Sequence, residues 1–150
     1  MIAETVEIVR LEPLRVASIW AFGPNPEELA WQKLAAFAQT HGLLSAGSRI
    51  FGFNHPDPAP GSPNYGYEFW ITVGPEVAPE GDIRLFEAPG GLYAVLQTDV
   101  TGDFSTTIPA AWQRLDSWVA ASSYRHGGHQ WLEEHTITGT PFAFYYPLAE

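Results

Sequence analysis

The chain has 150 residues, with 7 Lys and Arg against 17 Asp and Glu, a formal net charge of −10 and no cysteine. Its length fits one domain spanning residues 1–150, and an apolar share of 45 % is enough to build a core, which argues against disorder. The lack of cysteine excludes disulfides, a thiol nucleophile and Cys-rich zinc sites. The acidic balance predicts no direct nucleic-acid binding, and no stretch resembles a signal peptide or a membrane span, so we expect a cytoplasmic protein that does not enter membranes.

The first half of the chain predicts two strands, a helix and two further strands. Asn25-Pro26 is a typical helix start, in which Asn caps and Pro takes the first helical position, and Glu28 predicts a capping box. His41-Gly42 ends the helix, because glycine tolerates a positive φ. Strands are predicted over residues 5–11, 15–22, 49–53 and 65–73, and a Pro-rich loop at 54–64 separates the last two.

The strand at 65–73 has the clearest alternation of side chains in the sequence. Tyr67, Phe69 and Ile71 fall on one face, whereas Glu68 and Trp70 fall on the other. One face of this strand is therefore predicted to lie in the core, and the other is predicted to be polar and aromatic.

The second half predicts a β-hairpin, a helix and two closing strands. Pro89-Gly90-Gly91 supplies the hairpin turn, and the helix is predicted to begin at Ser105 or Thr106 and to end near Ser122. The four strands are predicted over residues 83–88, 92–98, 130–138 and 142–148.

The two predicted helices share a sequence motif. Ala30-Trp31-Gln32-Lys33-Leu34 recurs as Ala111-Trp112-Gln113-Arg114-Leu115, and one strand precedes each helix and two follow it. This order predicts a duplication, with pseudo-repeats at about 1–74 and 82–150. We therefore expect an α+β fold in which two strand-helix-strand-strand modules form a joined antiparallel sheet, with both helices on one face and a central ligand groove.

Five motifs of the chain together carry a family likeness: Trp31-Leu34-Phe37, Trp112-Leu115-Trp118, the hairpin at 89–95, Leu132-Glu133 and Tyr145-Tyr146-Pro147-Leu148. With them the chain resembles the GyrI-like small-molecule-binding domains over nearly its whole length. The likeness implies the effector-binding domain of MerR-type or AraC-type regulators, which takes hydrophobic and frequently cationic ligands, here in a stand-alone form without a DNA-binding part. Stand-alone relatives include gyrase inhibitors, drug-binding proteins and hydrolases of cyclopropane-bearing compounds.

The resemblance also implies site residues. Glu133 matches the family's pocket glutamate, and His135 stands where the family usually has a tyrosine. Tyr145 matches an aromatic residue of the last strand, and Glu68 with Trp70 lies on a strand that borders the same cavity in the family.

The residue types themselves favour Glu68 and Glu133 as the groups that carry chemistry. A carboxylate among aromatic side chains loses water, so it favours a cationic ligand, or it can act as a general base toward water. The alternative is an exposed glutamate, or one paired with Arg49, Arg84 or Arg125. The predicted cavity aromatics are Trp20, Phe22, Trp70, Trp131 and Tyr145, of which Trp131 shares the face of Glu133, while the helix aromatics, Trp118 included, are predicted to lie in the core.

Three functions remain open at this point. The first is a module that binds a small hydrophobic or cationic ligand, the second is a hydrolase of electrophilic compounds with Glu133 as its catalytic residue, and the third is an acidic protein-interaction module. No cofactor and no metal site are expected, because His126-Gly127-Gly128-His129 reads as a surface loop. The Pro-rich loop at 54–64 is predicted either to cover the groove or only to join two strands.

Overall fold

A computed structural model describes residues 5–100 and 102–150 of the chain. The chain divides into two compact units: a central unit, Leu14–Ala88, and a flanking unit formed by the residues up to Pro13 and from Pro89 onward. In chain order the elements are β1 (Val6–Leu11), β2 (Leu14–Gly23), α1 (Pro26–His41), β3 (Ile50–Asn54), β4 (Tyr65–Thr72), β5 (Arg84–Ala88), β6 (Gly91–Gln97), α2 (Phe104–Ala121), β7 (Leu132–His135) and β8 (Pro141–Pro147).

Each unit combines a four-stranded antiparallel sheet with one helix, which confirms the predicted α+β class. The central sheet has the order β3-β4-β2-β5, and the flanking sheet has the order β7-β8-β6-β1. Both units follow a strand-helix-strand-strand path, and each adds one outer strand. The outer strands cross the predicted repeat limits, since β1 pairs with β6 and β5 pairs with β2. The joined sheet and the central groove stay predictions.

Helix α1 packs on one face of the central sheet through apolar residues at helical spacing. Ala30 and Leu34 are fully buried, and Phe37 is 2 % exposed. Trp31 packs edge-on against Phe69 of β4, with ring centroids 5.4 Å apart. Burial of this apolar stripe against the sheet is what stabilises a helix of this length, because isolated helices of about 15 residues are marginal in water.

The ends of α1 agree with the sequence in part. Asn25 is the N-cap residue and Pro26 is buried in the first turn, but no side-chain capping bond forms at Asn25, so the predicted capping box is wrong. Gly42 adopts φ +63° at the C-terminus and its N–H reaches the carbonyls of Ala38 and Gln39, as expected for a glycine cap.

Helix α2 packs on the flanking sheet and begins one residue before its predicted start. Asp103 accepts a hydrogen bond from the backbone N–H of Ser105, which fixes the first turn at Phe104. Strand β7 is shorter than predicted, because Thr136 donates its backbone N–H to Thr140 and the chain turns after His135.

The two helices carry the duplicated motif in equivalent packing positions, with one exception. Ala111 and Leu115 are fully buried, as are Ala30 and Leu34 in α1. Trp118, which takes the place of Phe37, is 37 % exposed and stacks on Tyr124. The prediction that Trp118 lies in the core is therefore wrong, because this ring packs on Tyr124, beyond the end of α2, and stays partly exposed to solvent.

Candidate functional site

The candidate site lies on the face of the central sheet that points away from α1. Trp20 of β2 stands opposite Glu68 of β4, and Ser18 stands opposite Trp70. Residues directly opposite in an antiparallel ladder share a face, so these four side chains project together. Tyr67, Phe69 and Ile71 point to the other face and join the core beneath α1. The alternation predicted for this strand is confirmed.

Glu68 is the buried carboxylate of this face, with 4 % of its surface exposed. Its Oε2 accepts hydrogen bonds from Ser18 Oγ at 2.7 Å and from Trp70 Nε1 at 2.7 Å. Its Oε1 lies 2.9 Å from His55 Nδ1. Three different side chains therefore hold the carboxylate in one orientation, two of them on the strands of the sheet itself.

The partners of Glu68 are weak compensation for a buried charge. Ser18 and Trp70 are neutral donors, and His55 forms an ion pair only when it is protonated. No Lys or Arg of the described residues forms an ion pair with Glu68, so the alternative of an arginine-paired glutamate does not hold for it. A carboxylate in this setting gains from any cation that reaches it.

A cavity of about 450 Å³ borders this carboxylate, which is within the size range of small-molecule sites. Besides Glu68, its lining includes two charged residues, Asp82 before β5 and Arg84, the first residue of β5. Lys33 donates a hydrogen bond to Asp82 at 3.1 Å, and this contact holds the pKa of Asp82 below its usual range. The lining residues are Trp20, His55, Pro56, Glu68, Asp82 and Arg84.

The aromatic residues predicted for the cavity divide into exposed and buried ones. Trp20 is 46 % exposed and Phe22 is 49 % exposed, and their rings stack with centroids 6.1 Å apart. Trp70 is 9 % exposed and packs edge-on against Phe53 at 4.9 Å. Trp20 can therefore offer a ring face to a ligand, whereas Trp70 acts on Glu68 through its Nε1–H.

The first residues of the Pro-rich loop form one wall of the cavity. Trp20 Nε1 donates to the carbonyl oxygen of His55 at 2.7 Å, and the N–H of Gly66 donates to the carbonyl oxygen of Pro56 at 3.1 Å. A Cβ atom at residue 66 would lie 1.8 Å from the His55 carbonyl oxygen, so the close approach of these two chain segments requires glycine. The loop both joins β3 to β4 and lines the site.

In the flanking unit, Glu133 and Trp131 lie on the side of the sheet that carries α2. Trp112 Nε1 of α2 donates to Glu133 Oε2 at 3.0 Å, and the Trp131 ring lies 5.4 Å from the Trp112 ring. Trp131 therefore shares the side of Glu133, as the spacing predicted. This is the helix side of the sheet, in contrast to the side on which Glu68 lies in the central unit.

Tyr145 lies on the opposite face of the flanking sheet, beside a carboxylate that the sequence analysis missed. Its hydroxyl donates to Glu134 Oε1 at 2.6 Å, and Glu134 is 8 % exposed. The structure therefore places Tyr145 with Glu134 and not with Glu133. The buried Leu132 two residues earlier is the signal that could have placed Glu134 on the inner face.

His135 follows Glu134 and is a buried imidazole. Its Nδ1 lies 3.2 Å from the carbonyl oxygen of Gly139. Burial lowers the pKa of His135 to about 4, although the Gly139 contact and the Glu134 charge oppose the shift. The ring is therefore neutral at pH 7.

The histidines of the 126–129 segment have structural contacts. His129 Nε2 lies 2.8 Å from the carbonyl oxygen of Leu92, and His126 packs 5.1 Å from the Trp131 ring. Among residues 5–100 and 102–150, no group of three or more His, Asp or Glu side chains converges as a metal would require. Within the same ranges, neither helix has the combined length and apolar character of a membrane span.

Comparison with solved structures shows the same fold in other proteins. The EcmrR C-terminal domain superposes with a TM-score of 0.72 at 15 % identity, covering 99 % of each chain. An uncharacterised conserved protein from Listeria innocua superposes with a TM-score of 0.65 at 9 % identity, covering 96 % of this chain and 92 % of that one. In a complex of EcmrR with DNA the TM-score is 0.70 at 15 % identity, and this chain, 98 % of which is covered, spans 58 % of the EcmrR chain.

No curated protein sequence matches the chain significantly. A family match, in contrast, extends over residues 4–138, which is most of the sequence. It contains the whole central unit with Glu68 and its cavity, as well as α2 and the buried Glu134. The chain belongs to the family of GyrI-like small molecule binding domains.

Proposed function

We propose that this domain binds a hydrophobic organic cation in the cavity of the central unit, with Glu68 as the anionic group that selects it. The observation that carries the proposal is the buried carboxylate of Glu68, held by the neutral donors Ser18 and Trp70 beside a cavity of about 450 Å³. A cation that reaches this carboxylate gains an attraction that water screens little, because the group is buried.

The aromatic wall supports the same ligand class. Trp20 lines the cavity and is 46 % exposed, so its ring face is available to a cation or to a flat apolar group. Cation–π contacts of this kind contribute about 0.5–2 kcal/mol each. Arg84 also lines the cavity and opposes a cation, but it is exposed, and solvent screens its charge more than that of Glu68.

We also propose that residues 1–150 act as an effector-binding domain without a DNA-reading part of their own. Helices α1 and α2 both pack on sheets through their apolar faces, and the net charge of −10 is unfavourable for contact with phosphates. The roles of Glu133, Trp131 and Tyr145 in ligand binding stay predictions.

A fluorescence titration tests the choice of Glu68. Benzylamine, which is a cation at pH 7, and benzyl alcohol, its neutral counterpart, are added to the wild type, Glu68→Gln and Glu133→Gln, with intrinsic Trp emission as the signal. We expect benzylamine to bind the wild type and Glu133→Gln alike and to bind Glu68→Gln about 30-fold more weakly. Equal binding of both compounds, or loss of binding only in Glu133→Gln, would contradict the proposal.

A further inference from the structure

The imidazole of His55 occupies the oxygen of the Glu68 carboxylate that is not bonded to Ser18 and Trp70. His55 Nδ1 lies 2.9 Å from Glu68 Oε1, and a carboxylate oxygen accepts, so Nδ1 carries the proton. The other oxygen, Oε2, is occupied by Ser18 and Trp70, both of which are buried on the strands. A ligand that contacts the carboxylate from the cavity therefore meets the imidazole at Oε1.

We infer that the ligand displaces the His55 side chain and takes over its hydrogen bond, so the preferred ligands are organic cations with an N–H group. Protonated amines and amidinium groups have such a donor, whereas quaternary ammonium groups do not. The inference rests on the proposed function, and it narrows the ligand class of the same site.

The physical reason is the cost of leaving Oε1 unpaired. Oε1 belongs to a side chain that is 95 % shielded from solvent, so a lost hydrogen bond there is not replaced freely by water. An N–H cation supplies both the donor and the positive charge. A quaternary cation supplies only the charge, and it either leaves Oε1 without a donor or stays outside the imidazole, farther from the carboxylate.

The surroundings of His55 allow its side chain to leave while the backbone stays in place. The side chain is 63 % exposed, and its ring stacks on the ring of Phe53 with the centroids 6.1 Å apart. The backbone is held at both polar atoms, because its N–H donates to Gly66 and its carbonyl accepts from Trp20. A rotation about the side-chain bonds therefore opens Oε1 without moving the wall of the cavity.

The charged groups that line the cavity with His55 are Glu68, Asp82 and Arg84. Asp82 is already bonded to Lys33, so it competes weakly for the ligand. Glu68 is the acceptor that a displaced imidazole leaves behind. The position of the ligand N–H group is thereby assigned to one oxygen atom.

The test uses the full chain and two probes, benzylamine and benzyltrimethylammonium, with affinity measured by calorimetry. Resonances of the His55 ring nitrogens, assigned with His55→Ala, report on the imidazole in long-range ¹H–¹⁵N spectra. We expect benzylamine to bind about tenfold more tightly than the quaternary probe. At saturation with benzylamine the Nδ1 resonance should shift as its bond to Glu68 is lost. Benzylamine should bind His55→Ala about threefold more tightly than the wild type, because no imidazole competes for Glu68 Oε1.

Equal affinity of the two probes, or unchanged His55 resonances at saturation with benzylamine, would overturn the displacement. The proposed function would survive either result provided that Glu68→Gln still weakens both probes. If Glu68→Gln binds both probes as the wild type does, the proposed function itself fails, and the two failures are thus distinguishable.

Discussion

The two units have the same strand order and helix placement, but their buried carboxylates lie on different strands and contact different side chains. Glu68 of the central unit lies on β4 opposite Phe53, whereas Glu134 of the flanking unit lies on β7 opposite Ala143. These two cross-strand pairs are equivalent, because β3 corresponds to β7 and β4 to β8. The carboxylate therefore lies on the second strand of the pair in the central unit and on the first strand in the flanking unit. A duplicated backbone does not by itself duplicate a site, because the side chains that reach the carboxylate decide its role.

The donors show the same contrast. Each carboxylate accepts a hydrogen bond from an aromatic side chain: Glu68 from Trp70 of β4, and Glu134 from Tyr145 of β8. Glu68 also contacts the exposed His55 and borders the cavity. This added, replaceable partner is what makes the central unit the better candidate for ligand binding.

The largest expected effect is on the free energy of unfolding, and it concerns the position of the shared helix motif at which burial differs between the two units. Phe37→Ala should destabilise the fold by about 4 kcal/mol, because Phe37 is 2 % exposed beneath the central sheet. Trp118→Ala, at the equivalent position, should cost about 1 kcal/mol, because that ring is 37 % exposed. Urea unfolding at pH 7 measures both. Equal losses would mean that the packing of the two helices does not differ as described.

The second prediction concerns pH and His135 of the flanking unit. The pKa of His135 is lowered by burial from 6.5 to about 4, so the unfolded chain binds a proton in this interval that the folded chain does not. Stability is therefore unaffected by this group above pH 6.5 and falls by up to about 3 kcal/mol as the pH decreases toward 4.

Urea unfolding between pH 7 and pH 4 checks this dependence. His135→Gln should show a smaller loss of stability over that range than the wild type. His126→Gln, which changes an exposed imidazole, is the matched control and should keep the wild-type slope. The same slope in all three proteins would show that His135 protonates as freely in the folded chain as in the unfolded chain.

The third prediction tests the wall of the cavity. Gly66→Ala places a Cβ atom 1.8 Å from the His55 carbonyl oxygen, so the His55 backbone must shift and its bond from Trp20 is lost. We expect the affinity for benzylamine to fall by about tenfold, measured by calorimetry. Gly128→Ala is the control, since an added Cβ meets nothing within 4 Å there. Unchanged affinity in Gly66→Ala would indicate that the ligand does not use this wall.

The smallest expected effect concerns the exposed ring of the site. Trp20→Leu removes the aromatic face but keeps an apolar side chain, so benzylamine should bind about three- to fivefold more weakly. Phe22→Leu, which changes the neighbouring ring outside the cavity lining, should alter the affinity less. A larger effect in Phe22→Leu would place the ligand on the exposed surface and not in the cavity.

Much of the central site could be predicted from sequence, because period-two alternation decides which side chains share a face. This rule predicts Glu68 and Trp70 on one face of β4, and the residue types predict Trp20 for the cavity that it lines. The order of the elements and the duplicated helix motif also follow from local patterns. These features depend on spacing along one strand or helix.

The features that sequence analysis missed depend on contacts between distant segments. His55 reaches Glu68 because of the path of the loop after β3, and Ser18 reaches it because of the register between β2 and β4. The sequence pattern favours Glu133, whereas the structure places the neighbouring Glu134 on the opposite face, because a shift of one residue in a strand changes the face on which a side chain lies. Neither the register between strands nor the path of a loop can be predicted from a single sequence.

A crystal structure of the chain with 4-bromobenzylamine would locate the ligand, because anomalous scattering identifies the bromine. We predict the amine nitrogen within hydrogen-bond distance of Glu68 Oε1 and the ring beside Trp20, with the His55 side chain rotated away. A ligand bound at Glu133 in the flanking unit, with the Glu68 cavity unchanged, would contradict the assignment of the site to Glu68.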